Sequence, residues 1–77
     1  MNWKEEKNKI HKTFKFNDFK EALNFVNEVG ALAEQNQHHP DIYIHDYNQV
    51  DISLTTHDEG KVTDKDYSLA ERIDKIE

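Results

Sequence analysis

The stretch "EQNQHHPDIYIHDY", residues 34–47, sets two adjacent histidines, His38 and His39, against the only proline of the chain, Pro40. His45 follows shortly, and His57 lies further on in "LTTHDEG". Histidine alone among unperturbed side chains changes charge near neutral pH, so a group of them can both give and take protons. Three chemistries compete for such a group: a metal site, an acid/base site, or a polar helix terminus favoured by the helix dipole. Zinc on a helix usually takes histidines at i and i+4, whereas His38 and His39 are neighbours and project in different directions. A metal site is therefore disfavoured. If the preceding helix runs through His38, Glu34 lies one turn before it on the same side and is placed to orient or charge its imidazole. His57 would face the same space from the end of a neighbouring strand. The residues alone leave the acid/base and helix-terminus readings open. His11 and His45 have no recognisable partner and read as surface residues, while Trp3 and the phenylalanines read as core or subunit contacts.

These side chains need a scaffold, and apolar periodicity outlines one. Ile10, Phe14 and Phe16 share a period-2 face interrupted by Lys12, and the polar "EEKNK" before them turns back onto a short strand at residues 3–5. Phe19, Ala22, Leu23, Val26, Val29, Gly30 and Ala33 then form a helical stripe about five turns long, capped at its start by Asn17 or Asp18. Pro40 disfavours helical geometry at the preceding residue, so this helix ends at or before His39. Ile42 and Ile44, then Val50, Ile52 and Leu54, alternate on either side of a turn near "DYNQ" and make a second hairpin. In phase with Asp51, Ser53 and Thr55, His57 falls on the polar side. A last helix opens with Thr63 as N-cap, Asp66 three residues on, and Val62 with Tyr67 as a hydrophobic staple. Leu69, Ala70, Ile73 and Ile76 are its buried stripe. The order β-β-α-β-β-α reads as an α+β domain, a four-stranded antiparallel sheet with two helices on one face.

Size and charge narrow the function. A chain of 77 residues reads as one domain spanning residues 1–77, and so small a domain buries only about 60% of its unfolded surface. A partner copy is expected. Without cysteine there is neither a disulfide nor a thiolate site. The net charge of −6, with acidic residues spread along the chain, disfavours direct nucleic-acid binding, which needs clustered Lys and Arg. No apolar run approaches a membrane span, and "MNWKEEKNK" lacks the core of a signal peptide. A cytoplasmic protein is expected.

The spacing of Glu34, three residues, His38-His39-Pro40, six residues, Tyr47, nine residues, His57, eight residues and Asp66 resembles the signature of the pterin-4a-carbinolamine dehydratases. "FKFNDFKEALNFVNEV", "HHPDI", "LTTHDEG" and "TDKDYSLA" resemble that family too, so the likeness covers nearly the whole chain. It implies the same fold and an enzyme that removes water from 4a-hydroxytetrahydropterin, giving quinonoid dihydropterin for reuse after aromatic amino-acid hydroxylation, with no metal or organic cofactor. It further implies that His38, His39 and His57 line the pterin pocket, with His38 and His57 sharing the proton transfers and His39 positioning the ring. Glu34 becomes the orienting carboxylate, Pro40 and Tyr47 belong to the binding or orienting set, and Asp66 matches the signature although its capping role accounts for it equally. The family's habit implies a homodimer or homotetramer. Members commonly carry an extra helix before the tryptophan matching Trp3, and Ile42 stands where an aromatic is frequent. The sheet face or subunit contact which that helix covers is therefore expected to be exposed or filled otherwise, with a pocket wall of altered shape. The alternatives are a non-catalytic dimerisation partner of a transcription factor, and a relative acting on another heterocycle or in molybdopterin metabolism.

Overall fold

The computed structural model describes residues 2–76. Its elements are β1 (Lys4–Glu6), β2 (Lys9–Lys15), α1 (Phe19–Asn36), β3 (Asp41–His45), β4 (Gln49–Leu54) and α2 (Asp64–Ile76). All pairings are antiparallel, in the sheet order β1-β2-β4-β3, which is the expected α+β arrangement. "EEKNK" makes the first turn as read: Glu6 pairs with Lys9, and Lys7 and Asn8 between them both take positive φ, the backbone of a two-residue hairpin loop.

The sheet's inner face is built by alternation. Ile10 and Phe14 of β2 and Val50, Ile52 and Leu54 of β4 are each 1% exposed or less, while their neighbours face outward. Lys12 interrupts that face without leaving a buried charge unpaired: its ammonium bonds Asp74 of α2 at 2.8 Å and lies 4.7 Å from the Phe14 ring centre. Asp74 also accepts from the Trp3 indole at 3.1 Å. Burial thereby ties the first hairpin to the last helix.

α1 covers this face along Ala22, Phe25, Val29 and Ala33. The apolar arc of α1 is wider than the strip in contact with the sheet, and the register settles on Phe25, which lies 4.7 Å from Phe14 and 4.9 Å from Phe16 between ring centres. Phe19 and Leu23, placed in the stripe by sequence, are instead exposed. Asp18 is the N-cap, accepting from Glu21 N at 2.8 Å, and Glu21 in turn accepts from Asn17 N at 3.0 Å. α2 contributes Leu69, Ala70 and Ile73 to the core, with Ile76 partly buried beside them.

Candidate acid/base cleft at the end of the sheet

The end of α1 decides where the histidines go. Gln37 adopts the left-handed conformation, its N–H bonds Glu34 O, and His38 N–H reaches back to Ala33 O at 3.1 Å. This is a Schellman closure with glutamine in the position glycine usually fills. The helix thus stops before His38, and the two histidines part company. His38 turns inward beneath the start of α2, its side chain 13% exposed, and its Nε2 lies 2.5 Å from Asp66 Oδ1. His39 points out, with Nε2 2.5 Å from Glu34 Oε2 in a pair whose side chains are 60% and 75% exposed.

This corrects one expected pairing. Glu34 partners His39 rather than His38, because the reversal at Gln37 takes His38 out of helical phase with it. The carboxylate facing His38 is Asp66, whose side chain is completely buried. Asp66 does cap α2, its Oδ2 accepting from Thr63 N at 2.9 Å, but capping is only part of its work. The same oxygen accepts from the Thr56 hydroxyl at 2.9 Å, and the Thr56 and Thr63 hydroxyls are 2.7 Å apart.

β4 ends at Leu54, and a tight turn follows it. Thr56 N–H bonds Lys61 O, while Glu59 and Gly60 both donate to Thr56 O. Gly60 supplies the positive φ of 67° that the turn requires. Thr56 continues the inward parity of Leu54 and is buried, which leaves His57 exposed on the turn. His38, His39 and His57 thereby line one cleft of about 230 Å³, together with Gln37, Thr55, Thr56, Asp58 and Lys65. A roomier cleft of about 350 Å³, between the end of β2 and α1, has no histidine.

Of the remaining signature residues, Glu34 reaches the cleft through His39, and Pro40 joins His39 to β3 and biases it toward extended backbone. Tyr47 is not brought there within one chain. It is exposed in the β3–β4 turn, and the length of β4, at about 3.3 Å per residue, separates it from His57 by roughly 20 Å. Sequence reasoning missed Thr56 and Lys65. The parity of Leu54 extended by two residues would have found the first; the second emerges only once α2 is docked against the turn. Among the described residues no group of three or more His, Asp or Glu is placed to hold a metal ion.

His11 and His45 do have partners, contrary to the reading as lone surface residues. His11 Nε2 is 2.7 Å from Glu6, holding that carboxylate below its usual pKa. His45 stacks on Tyr43 and lies 3.0 Å from both Asp51 and Asp46. Asp51 chiefly, then Asp46, raise the His45 pKa above 6.5. The Asp51 contact is close but not aligned as a hydrogen bond, so we read it as charge attraction. Burial opposes ionisation of Asp51, but the Thr13 hydroxyl and His45 outweigh it and its pKa is lowered. A raised folded-state pKa means that His45 stabilises fully below its unfolded value and that this contribution is lost as pH climbs through the folded one. Asp51 contributes in the opposite sense, its share being lost on acidification. Thermal melts should therefore show a shallow fall in Tm from about pH 6 to pH 9 that His45→Gln flattens. An identical slope in the variant would remove His45 from the pair.

The chain is similar to known proteins in both sequence and fold. The family model described as pterin 4 alpha carbinolamine dehydratase matches residues 1–76. A protein of Sulfurisphaera tokodaii, provisionally named pterin-4-alpha-carbinolamine dehydratase, is 51% identical over 74 residues, covering 96% of this chain and 78% of its own. A similarly named protein of Chloroflexus aurantiacus is 50% identical over 74 residues, covering 96% and 78%. Among solved structures, a transcriptional coactivator/pterin dehydratase from Brucella melitensis superposes with a TM-score of 0.90 at 36% identity, covering 96% of this chain and 80% of that one. A pterin dehydratase-like RuBisCO assembly factor of the alpha-carboxysome shares the fold, with a TM-score of 0.75 at 22% identity over 95% of this chain and 83% of that one.

Proposed function

Since the chain belongs to the pterin 4-alpha-carbinolamine dehydratase family, we propose that its histidine cleft dehydrates 4a-hydroxytetrahydropterin to quinonoid dihydropterin by general acid/base catalysis. The C4a–O bond breaks as a proton is delivered to the leaving oxygen. The proton on N5 is withdrawn, its electron pair forms the C4a=N5 bond, and water departs. Each positioned proton transfer is typically worth about 10²- to 10⁴-fold. The observation that carries this reading is the convergence of His38, His39 and His57 on one cleft, with His38 anchored inward on Asp66.

In this reading His38 and His57 exchange the protons, while His39, braced by Glu34, positions the ring. Lys65 and Gln37, on the same cleft wall, offer donors to the polar edge of a pterin. The physiological setting is recycling of a tetrahydropterin after hydroxylation of an aromatic substrate. Assembly into a dimer or tetramer belongs to the same proposal, supported by exposed Phe19 and Leu23 on α1.

The test is the rate of carbinolamine dehydration, with substrate generated in situ by a tetrahydropterin-dependent hydroxylase and followed by absorbance. Folded wild-type protein should accelerate it well beyond the uncatalysed rate. No acceleration would sink the reading. A protein-interaction role draws support from the name of the Brucella structure; it needs no histidine, and it would persist in a His38→Ala variant.

A further inference from the structure

We propose that Thr56 is a positioning residue that acts through Asp66 to hold His38 with Nε2 inward and Nδ1 toward the cleft. The inference rests on the acid/base reading for its catalytic consequence, but its geometry stands apart from it. Asp66 is fully enclosed, and three groups surround its carboxylate: Thr63 N–H and the Thr56 hydroxyl on Oδ2, and His38 Nε2 beside Oδ1.

The direction of each hydrogen bond follows from counting protons. Thr63 N–H is backbone and can only donate, so Oδ2 is an acceptor. Thr63 Oγ1 accepts from Lys65 N–H at 3.3 Å, which leaves its own proton for Thr56 Oγ1. Thr56 then spends its single proton on Asp66. Both threonine hydroxyls are satisfied in this arrangement, and in it Oδ2 only accepts. With Asp66 ionised, Oδ1 accepts as well, and His38 carries its proton on Nε2. Among the described residues Nδ1 of His38 has no hydrogen-bond partner, and it is not among the enclosed polar atoms. His38 lines the cleft, so Nδ1 is the atom free to meet a substrate.

Thr56 never reaches the substrate through its hydroxyl in this arrangement. What it contributes is a fixed carboxylate. Without that donor, Oδ2 keeps only the Thr63 N–H, and the Thr63 hydroxyl loses its acceptor. The Asp66 carboxylate is then free to turn about its Cβ–Cγ bond, and the His38 ring loses its fixed bearing.

The experiment is NMR of ¹⁵N-histidine-labelled wild-type, Thr56→Val and Thr56→Ser proteins, paired with steady-state kinetics. Wild-type His38 should show a proton on Nε2, shifted downfield by its bond to Asp66. In Thr56→Val that resonance should broaden or move upfield, and kcat should fall about tenfold with KM little changed. Thr56→Ser, which keeps the hydroxyl, should restore both. A wild-type ring with its proton on Nδ1 and none on Nε2 overturns the proposal, as does a Thr56→Val protein with an unaltered resonance, or a serine variant that restores nothing. Should Thr56→Val not fold, Thr56→Cys, a weaker donor of similar size, takes its place with the same readings. If the wild type fails to turn over carbinolamine, the proposed function fails while the imidazole resonance still decides the role of Thr56.

Discussion

His38→Ala is expected to lower kcat for carbinolamine dehydration by roughly 10²- to 10⁴-fold, the usual worth of a positioned acid/base group. Its side chain is 13% exposed and locked to a carboxylate, so little freedom is lost when it meets substrate. The variant should still fold, because Asp66 retains Thr56 and Thr63 as donors. KM should change far less than kcat, since the cleft keeps His39, His57 and Lys65. His39→Ala should cost less, its imidazole standing in solvent beside Glu34. Stopped-flow absorbance on both variants separates the two histidines. A loss at His38 of less than about threefold, well under the worth of a general acid or base, would take it out of the chemistry.

Asp66→Ala carries the second large effect, and it falls on stability as much as on rate. Were Asp66 merely a capping residue, its removal would cost about 1 kcal/mol. It instead meets a backbone N–H, a hydroxyl and an imidazole at once, with its own carboxylate closed off from water. Removing one partner of such a buried set typically costs about 3–5 kcal/mol. In a domain of this size each kcal/mol shifts Tm by about 4–8 °C, so a fall of about 12 °C or more is expected in a circular-dichroism melt. Asp66→Asn should be milder in stability, since the amide keeps the shape and one acceptor, yet it turns a donor toward groups that themselves donate. A Tm loss of only a few degrees in Asp66→Ala would return Asp66 to a simple cap.

Much of this molecule was legible from residue patterns because its elements are locally encoded. The period-2 runs of β2 and β4, the Asp18 and Thr63 caps and the Pro40 stop are short-range signals, and the elements formed where they pointed. Faces were harder. α1 has apolar residues around more than half its girth, and the choice of Phe25 over Phe19 and Leu23 depends on the rings of Phe14 and Phe16, which only the folded sheet supplies. The pairing of histidines with carboxylates was misread for a similar reason. Glu34 and His38 are neighbours on an ideal helix, but one left-handed residue, Gln37, ends the helix between them. Nothing in a glutamine announces that conformation. Asp66 and His38, 28 residues apart, meet only because α2 docks beside the turn after β4.

The bond network from Trp3 and Lys12 to Asp74 has a bearing on the order of folding. The first hairpin supplies Ile10 and Phe14, but the surface they need is completed by Leu69, Ala70 and Ile73 of the last helix. Contacts this distant along the chain close late, because loop entropy must be overcome before they reward it. Asp66 rides on the same helix. A chain halted before α2 therefore has neither a finished core nor the carboxylate that meets His38. Closure of the histidine cleft and structural completion arrive in the same step, and a half-folded molecule has no half-built cleft.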